Sequence, residues 1–186
     1  MYKKRLDLAF LIDTNGKDAE NIFEEGKKVA AKILDSFDIS EEKTHVAFVA
    51  YSGKPVIKIP FKAIEDRESL KQDIKTLARE DGGVLEEGLK LVAEELFTIK
   101  NGARPSARKS LVIITNEKDV PEAEETKKKL HNKGIKVVVL FLGDNIHQKK
   151  AKKLPSTPNL LEIAESLEKK PQIVDDLVEK VTQGTT

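Results

Sequence analysis

The 186-residue chain has no cysteine and no tryptophan, a single methionine, and only 5% aromatic residues. The missing thiols remove Cys nucleophiles, disulfide frameworks and Cys-ligated zinc together. They leave the compartment open, because a cytosolic protein needs no disulfides and a secreted domain of this size can build a sufficient core without them. Neither sign of charge is in excess: 33 Lys and Arg stand against 32 Asp and Glu, a net charge of +1. That balance argues against a protein whose main partner is a nucleic-acid backbone, which asks for a strong basic surplus. No apolar run approaches the ~20 residues of a membrane span. The basic residues 1–5 followed by apolar 8–12 have the outline of a signal peptide, but Asp7 and Asp13 bracket so short a run that this reading is rejected. Asn-x-Ser/Thr is absent as well. The chain is therefore either cytosolic or one domain of a longer secreted protein.

Present in their place are 39% hydrophobic and 35% charged residues, enough apolar material for one core under a charged surface. Strand and helix signals alternate along the chain. Residues 7–13 (DLAFLID) and 45–51 (HVAFVAY) are short, continuous apolar runs that predict buried strands. Turn chemistry at 52–55 leads into 56–61, whose flanking Pro55 and Pro60 make it an antiparallel edge strand paired with 45–51. Residues 110–115 and 136–143 predict two more strands, and 159–163 a short last one. Apolar residues three or four apart predict helices over 18–37, 66–77, 85–97, 121–132 and 172–181, with a short basic helix over 147–154. Continuously apolar strands separated by helices need cover on both faces. The expectation is one doubly wound α/β domain with a mostly parallel sheet, residues 7–12 central, and Val29, Ile33, Leu89, Val92, Val112, Ile114, Val138 and Leu140 in the core.

In such a sheet ligands bind beyond the carboxyl ends of the strands. The positions to inspect are 13–17, Ser52 to Lys54, 82–87, 116–119 and 143–145. No dinucleotide fingerprint, P-loop, H-E-x-x-H or G-x-S-x-G occurs there or elsewhere. His45, His131 and His147 are scattered, whereas ligating histidines come in clusters. Asp13 stands out, because a carboxylate at the end of a first strand is where α/β proteins place a metal ligand or phosphoryl acceptor. A helix N-cap is the plainer alternative, although Asp18 is better placed for that.

Five segments, in order, carry a resemblance: DLAFLIDTNGKDAENIFEEGKKVAAKIL, THVAFVAYSGKPVIKIPF, DGGVLEEGLKLVAEELF, NGARPSARKSLVIITNEKD and GIKVVVLFLGD. Together they resemble a von Willebrand factor A domain, closest in flavour to the collagen-associated and matrilin-like extracellular modules. The resemblance covers nearly the whole chain. It implies six strands with one antiparallel at an edge, no catalysis, an extracellular setting within a longer chain, and adhesion or matrix assembly through a metal-ion-dependent site on the top face.

The implied metal motif is degenerate here. The family's D-x-S-x-S stands as Asp13-Thr14-Asn15-Gly16-Lys17, its Thr falls on Val84, and the Asp of its T-D-G is Asn116. A Mg²⁺ site needs near-octahedral oxygen ligands, usually with one or two carboxylates. Asn15 can still offer an amide oxygen in place of one hydroxyl, but the set loses a carboxylate and two further hydroxyls and gains an ammonium, so no metal cofactor is expected beyond weak Mg²⁺ or Ca²⁺. Lys17 either reaches back to Asp13, placing its charge where a cation would sit, or points to water. Glu86 and Glu87 read as a solvated helix start, where acids suit the dipole. Asp13, Asn15, Lys17, Ser52, Asn116 and Glu117 form the expected vestigial binding face. The basic clusters 127–129 and 149–153 are either a patch for sulfated glycan, nucleic acid or acidic protein, or plain solvated faces.

The resemblance therefore implies a non-enzymatic, metal-independent interaction module. Its partners would be collagen or another matrix protein, or further copies in tandem. The alternatives are a metal-dependent adhesion domain with a weak Mg²⁺ site, or a small phosphotransfer enzyme. In the latter, Asp13, Thr115 and Lys118 echo the nucleophile, Thr and Lys of haloacid-dehalogenase-like phosphatases. That mechanism wants an acid two residues after the nucleophile, and Asn15 cannot exchange a proton at neutral pH.

Overall fold

Residues 7–13 form the strand their unbroken apolar run demands: β1 spans Leu6–Asp13 and is buried along its whole length. The computed structural model describes residues 1–51, 53–63, 66–81, 83–144 and 148–184; Ser52, Gly82, Asn145 and His147, singled out above, lie outside them. The other strands are β2 (Thr44–Tyr51), β3 (Pro55–Ile59), β4 (Arg108–Thr115), β5 (Ile135–Leu142) and β6 (Leu161–Ala164). They lie in the order β3-β2-β1-β4-β5-β6. All pairings are parallel except β2 with β3, at the edge where the prolines put it.

Alternate residues of β1 feed opposite faces of the sheet, as the two-residue repeat of a strand requires. Leu8, Phe10 and Ile12 join one core layer, and Ala9 and Leu11 the other. The first layer is covered by α1 (Ala19–Leu34), α2 (Arg67–Thr76) and, at the chain's end, the helix Ile173–Thr182. The second is covered by α3 (Leu85–Leu91), α4 (Glu124–Asn132) and α5 (Gln148–Ala151); the terminal helix is thus α6. All eight residues expected in the core are fully buried.

Several boundaries differ from the periodic reading. Helix α1 ends at Leu34, because the amides of Ser36 and Phe37 turn back to carbonyls only three residues away. Phe37 stays buried outside the helix, edge-on to Tyr2. Asp18 holds the N-cap position of α1 but makes no side-chain capping bond. The helix after Gly83 is α-helical only to Leu91 and continues as a π turn, Val92–Leu96. Helix α4 starts at Glu124, not at Pro121, since Ala123 takes a left-handed backbone (φ 38°) and buried Val120 ties the preceding loop to the core. Strand β6 follows a 3₁₀ turn, Pro158–Leu160, and so begins two residues late.

The NGARP segment has a structural task. Gly102 sits at φ 89°, where a Cβ would lie 2.4 Å from the Lys62 nitrogen. That tight pass delivers Arg104 to Asp7, which is completely buried at the start of β1. Arg104 Nε donates to Asp7 Oδ1 at 2.9 Å, its main-chain N–H to Oδ2 at 2.7 Å, and Nη2 to the carbonyls of Leu6 and Lys43. A buried carboxylate is tolerable on such terms, with its charge matched and its lone pairs filled. Both ends of the described chain leave from this side of the sheet. Tyr2 bridges to Phe37, and Gly184 lies against the guanidinium of Arg108, itself opposite Leu6 in register.

Candidate functional site

The strand order reverses between β1 and β4, and a crevice opens beyond their carboxyl ends, as topology requires. The last paired residues there are Asp13 and Thr115. Thr115 Oγ1 donates to Asp13 Oδ2 at 3.2 Å and accepts from the Glu117 N–H at 3.0 Å. One residue further, the Asn116 side chain bonds the main chain of Asn15 twice. Its Oδ1 accepts from Asn15 N–H at 2.8 Å, and its Nδ2 donates to the Asn15 carbonyl at 2.7 Å. Held this way, Asn15 turns its own amide inward. Asn15 Nδ2 donates to both oxygens of Asp13, at 3.3 and 3.4 Å, and to Glu117 Oε2 at 3.2 Å.

Two carboxylates thus share one neutral NH₂ group. Asp13 is 1% exposed, and its pKa is pushed up to about 6. Burial is the main cause and the Glu117 charge the second; the bonds from Thr115 and Asn15 and the charge of Arg79 oppose them. This is desolvation of a charged form outweighing its hydrogen bonds. Glu117 is half-buried beside it.

Of the expected face, Asp13, Asn15, Asn116 and Glu117 come together, and Ser52 lies outside the described residues. Lys17 does not join them. Its side chain is exposed, and no ion pair links it to Asp13 among the described residues. The reach-back alternative is corrected accordingly: the Asn15 amide already occupies the carboxylate, and the nearby cation is Arg79, which donates to the Thr14 carbonyl at 3.1 Å and pairs with Asp81 at 2.6 Å. Val84 is exposed, and its carbonyl accepts from the Tyr51 hydroxyl at 2.9 Å. Tyr51 lies under the Gly83 and Gly88 backbone, where a Cβ on Gly88 would stand 2.2 Å from the hydroxyl. Burial, then the Asp13 charge, raise the Tyr51 pKa further still, so it remains a neutral donor.

Tyr51 and Arg79 escaped sequence reasoning. A tyrosine ending a buried strand, with glycines at 83 and 88 in the sequence that follows, was a usable signal for the first; Arg79 sits in an aperiodic stretch that offers none. Glu86 and Glu87 are exposed in the first turn of α3, as the dipole argument expects. His45 bonds the Glu41 carbonyl, far along the chain from His131 on α4. Above the site lies an open cavity of about 630 Å³, lined by Asn15, Lys17, Asn116 and Glu117 and, from the end of β5, Gly143 and Asp144.

Comparison with known proteins agrees with this architecture. The von Willebrand factor type A domain model matches residues 7–176. Von Willebrand factor A domain-containing protein 2 of Xenopus laevis is 29% identical over 96% of this chain, which spans 22% of that protein. Matrilin-1 of Gallus gallus is 28% identical over 76% of the chain and 29% of its own length. The collagen alpha-1(XX) chain of Mus musculus is 29% identical over 82% of the chain and 12% of its own length. The chain thus spans less than a third of each of these relatives. Among solved structures, proximal thread matrix protein 1 from the mussel byssus superposes with a TM-score of 0.84 at 16% identity, covering 96% of this chain and 49% of that one. A further structure of that protein, described as having a zinc-occupied MIDAS motif, superposes at 0.78. At such identity these two matches speak for the fold alone.

Proposed function

Because the chain belongs to the von Willebrand factor type A family, we propose that it is a non-enzymatic protein-interaction module of the extracellular-matrix or adhesion type, whose binding does not depend on a divalent ion. Its partner would be a matrix polypeptide, collagen being the first candidate, and its setting extracellular, within a longer secreted protein. Matrilin-1 and the collagen XX chain among the relatives support the setting.

The observation that carries metal independence is the orientation of donors around Asp13. A divalent ion needs several oxygens aimed at one point. Here the groups that meet Asp13 are an N–H of Asn15 and the hydroxyl hydrogen of Thr115. Both polar ends of the Asn116 amide bond the Asn15 main chain, which fixes its orientation. Val84 brings no side-chain oxygen, and its carbonyl is engaged by Tyr51. For an ion to enter, Asn15 must reverse its amide and leave two carboxylates while Asn116 keeps or breaks its clasp. Lys17 on the rim adds a like charge. The residues present do not fit the implied metal.

Absence of catalysis is supported in the same place. Thr115 is engaged on both sides, and Lys118 is exposed. Asn15 is no acid, so the position two residues after Asp13 supplies no proton for a phosphotransfer role.

The test is a titration with Mg²⁺ and Mn²⁺ followed at the backbone amides of Asn15, Thr115 and Glu117, alongside adhesion to immobilised collagen in chelator and in Mg²⁺. The expected result is no saturable ion site up to millimolar concentration and unchanged adhesion in chelator. A micromolar site centred on Asp13 overturns the reading. Restoring oxygens with Asn15→Ser, Lys17→Ser, Val84→Thr and Asn116→Asp together is expected to create ion binding.

A further inference from the structure

On the flank of the sheet, α4 and the chain running from α5 toward β6 form two walls of a groove of about 330 Å³. Lys127 and Lys128 stand on the α4 wall, Lys152 and Lys153 face them, and His131 lies at the end. Leu130, Ile135, Val137 and Leu154 make the floor but are buried, so the charged part of the accessible lining is four lysines against one acid, Glu124, with Pro158 beside them. Lys127 has a carboxylate partner, Glu124 at 3.5 Å. Lys128, Lys152 and Lys153 are exposed, and among the described residues none of them forms an ion pair. The groove runs on into a second one of about 460 Å³ around the start of β5, sharing His131, Ile135 and Ser156 with it. That half adds neutral hydrogen-bonding groups, Ser156, Thr157, Asn159 and Gln183, beside Lys136 and the apolar Ile135 and Leu160.

We propose that this trough binds a sulfated polysaccharide, with sulfates between the facing lysine pairs and sugar hydroxyls against Ser156, Thr157 and Asn159. Like charges on opposed walls repel one another, and a polyanion laid between them relieves that repulsion while releasing its counterions. Charge alone fits any polyanion; the rest of the lining selects. Among the described residues the one aromatic ring lining either half is His131, so successive bases of a nucleic acid have no row of stacking platforms. The apolar floor is closed, so the side chains of an acidic peptide find no pocket, whereas hydroxyl and amide groups in a row suit a glycan. The near-neutral net charge is no objection, because the field depends on where charges sit. None of these residues belongs to the Asp13 face, and the proposal stands apart from the reading given for it.

The experiment measures binding of the intact protein to a short heparin oligosaccharide, its desulfated counterpart, a poly-glutamate peptide and a single-stranded oligonucleotide. Backbone amide shifts locate the contact. The expected result is salt-sensitive binding to heparin at the trough, none to the desulfated sugar, and clearly weaker binding to the other two. The triple variant Lys128→Gln, Lys152→Gln, Lys153→Gln should bind heparin about tenfold or more weakly with an unchanged thermal midpoint. The control Lys28→Gln, Lys32→Gln, Lys75→Gln removes the same charge from the opposite face and should bind as the parent does. No binding to heparin, equal loss in both triple variants, or equally tight binding to poly-glutamate or the oligonucleotide each overturns the proposal.

Discussion

Asn116 holds Asn15 by both edges of its main chain, through one side-chain amide, with bonds of 2.8 and 2.7 Å. It is the pairing two strands make, continued by a side chain one step beyond the last β1–β4 pair, Asp13 and Thr115. The clasp aims the Asn15 amide at Asp13 and Glu117, so a neutral residue decides how two acids are met.

Removing that clasp should cost stability as well as order. Asn116→Ala leaves a part-buried N–H and C=O of Asn15 without partners, and about 2 kcal/mol is expected from urea unfolding. Asn116→Asp is nearly isosteric, yet it sets a carboxylate oxygen against the Asn15 carbonyl. In chelator it should be at least as destabilised as the Ala variant. A stability equal to the parent's would contradict the assigned bonding.

Asp13 should leave a signature in the pH dependence of stability. Its folded pKa of about 6 lies above the ordinary aspartate value of 3.8. The folded state therefore binds the proton more tightly, and this contribution is fully present below pH ~4 and lost as pH rises through ~6. The shift corresponds to about 3 kcal/mol. Asp13→Asn, which mimics the protonated form, should be stabilised relative to the parent at pH 7 and not at pH 4. Unfolding free energies for both proteins at the two pH values decide this, and a constant difference between them sinks it.

The opposite end of β1 has the reverse character. Arg104→Ala strands the fully buried Asp7 carboxylate without its cation, and about 3–5 kcal/mol should be lost. Arg104→Lys keeps the charge but not the fork that reaches Asp7, Leu6 and Lys43 at once, so it should fall between Ala and the parent. Denaturant midpoints with unchanged slope give the ordering; a Lys variant as stable as the parent would show that charge, not geometry, is what Asp7 needs.

Tyr51 and Gly88 should behave as a coupled pair. Gly88→Ala brings a methyl onto the Tyr51 hydroxyl, with an expected cost of about 1–3 kcal/mol. Tyr51→Phe alone loses the bond to the Val84 carbonyl, about 1 kcal/mol. In the double variant the clash is eased, so the two costs should sum to more than the combined loss. Strict additivity in the double-mutant cycle would mean the ring does not lie against Gly88.

The architecture could be read from the strand runs because burial on both faces leaves no polar residue to interrupt them, as in β1 and β5. Boundaries were harder where a tertiary contact overrides the period. Phe37 looks like the next residue of the α1 stripe but reaches the core from a tightened turn, and Val120 is pulled inward ahead of α4. The family-motif letters that positions 15, 17, 84 and 116 lack were visible in the sequence. What replaces them was not: a side chain clasping a backbone, as Asn116 does, follows from three-dimensional proximity of residues about a hundred positions apart. Lys17, which by charge alone was a fit counter-ion, lost to an amide closer to hand.

Both ends of the described chain leave from the side of the sheet that holds Asp7, away from Asp13. Tension applied across the ends would therefore enter and leave through that one pole. Strand β1 resists with a hydrogen-bonded ladder on each side, while α6 is held by the packing of Ile173, Leu177 and Val181 and by Lys136, which caps carbonyls near its end. The helix should peel first, giving a short extension before the main rupture in a single-molecule pulling trace. Under load the molecule would yield first at the pole where its described ends lie, while the Asp13 end of the sheet kept its shape.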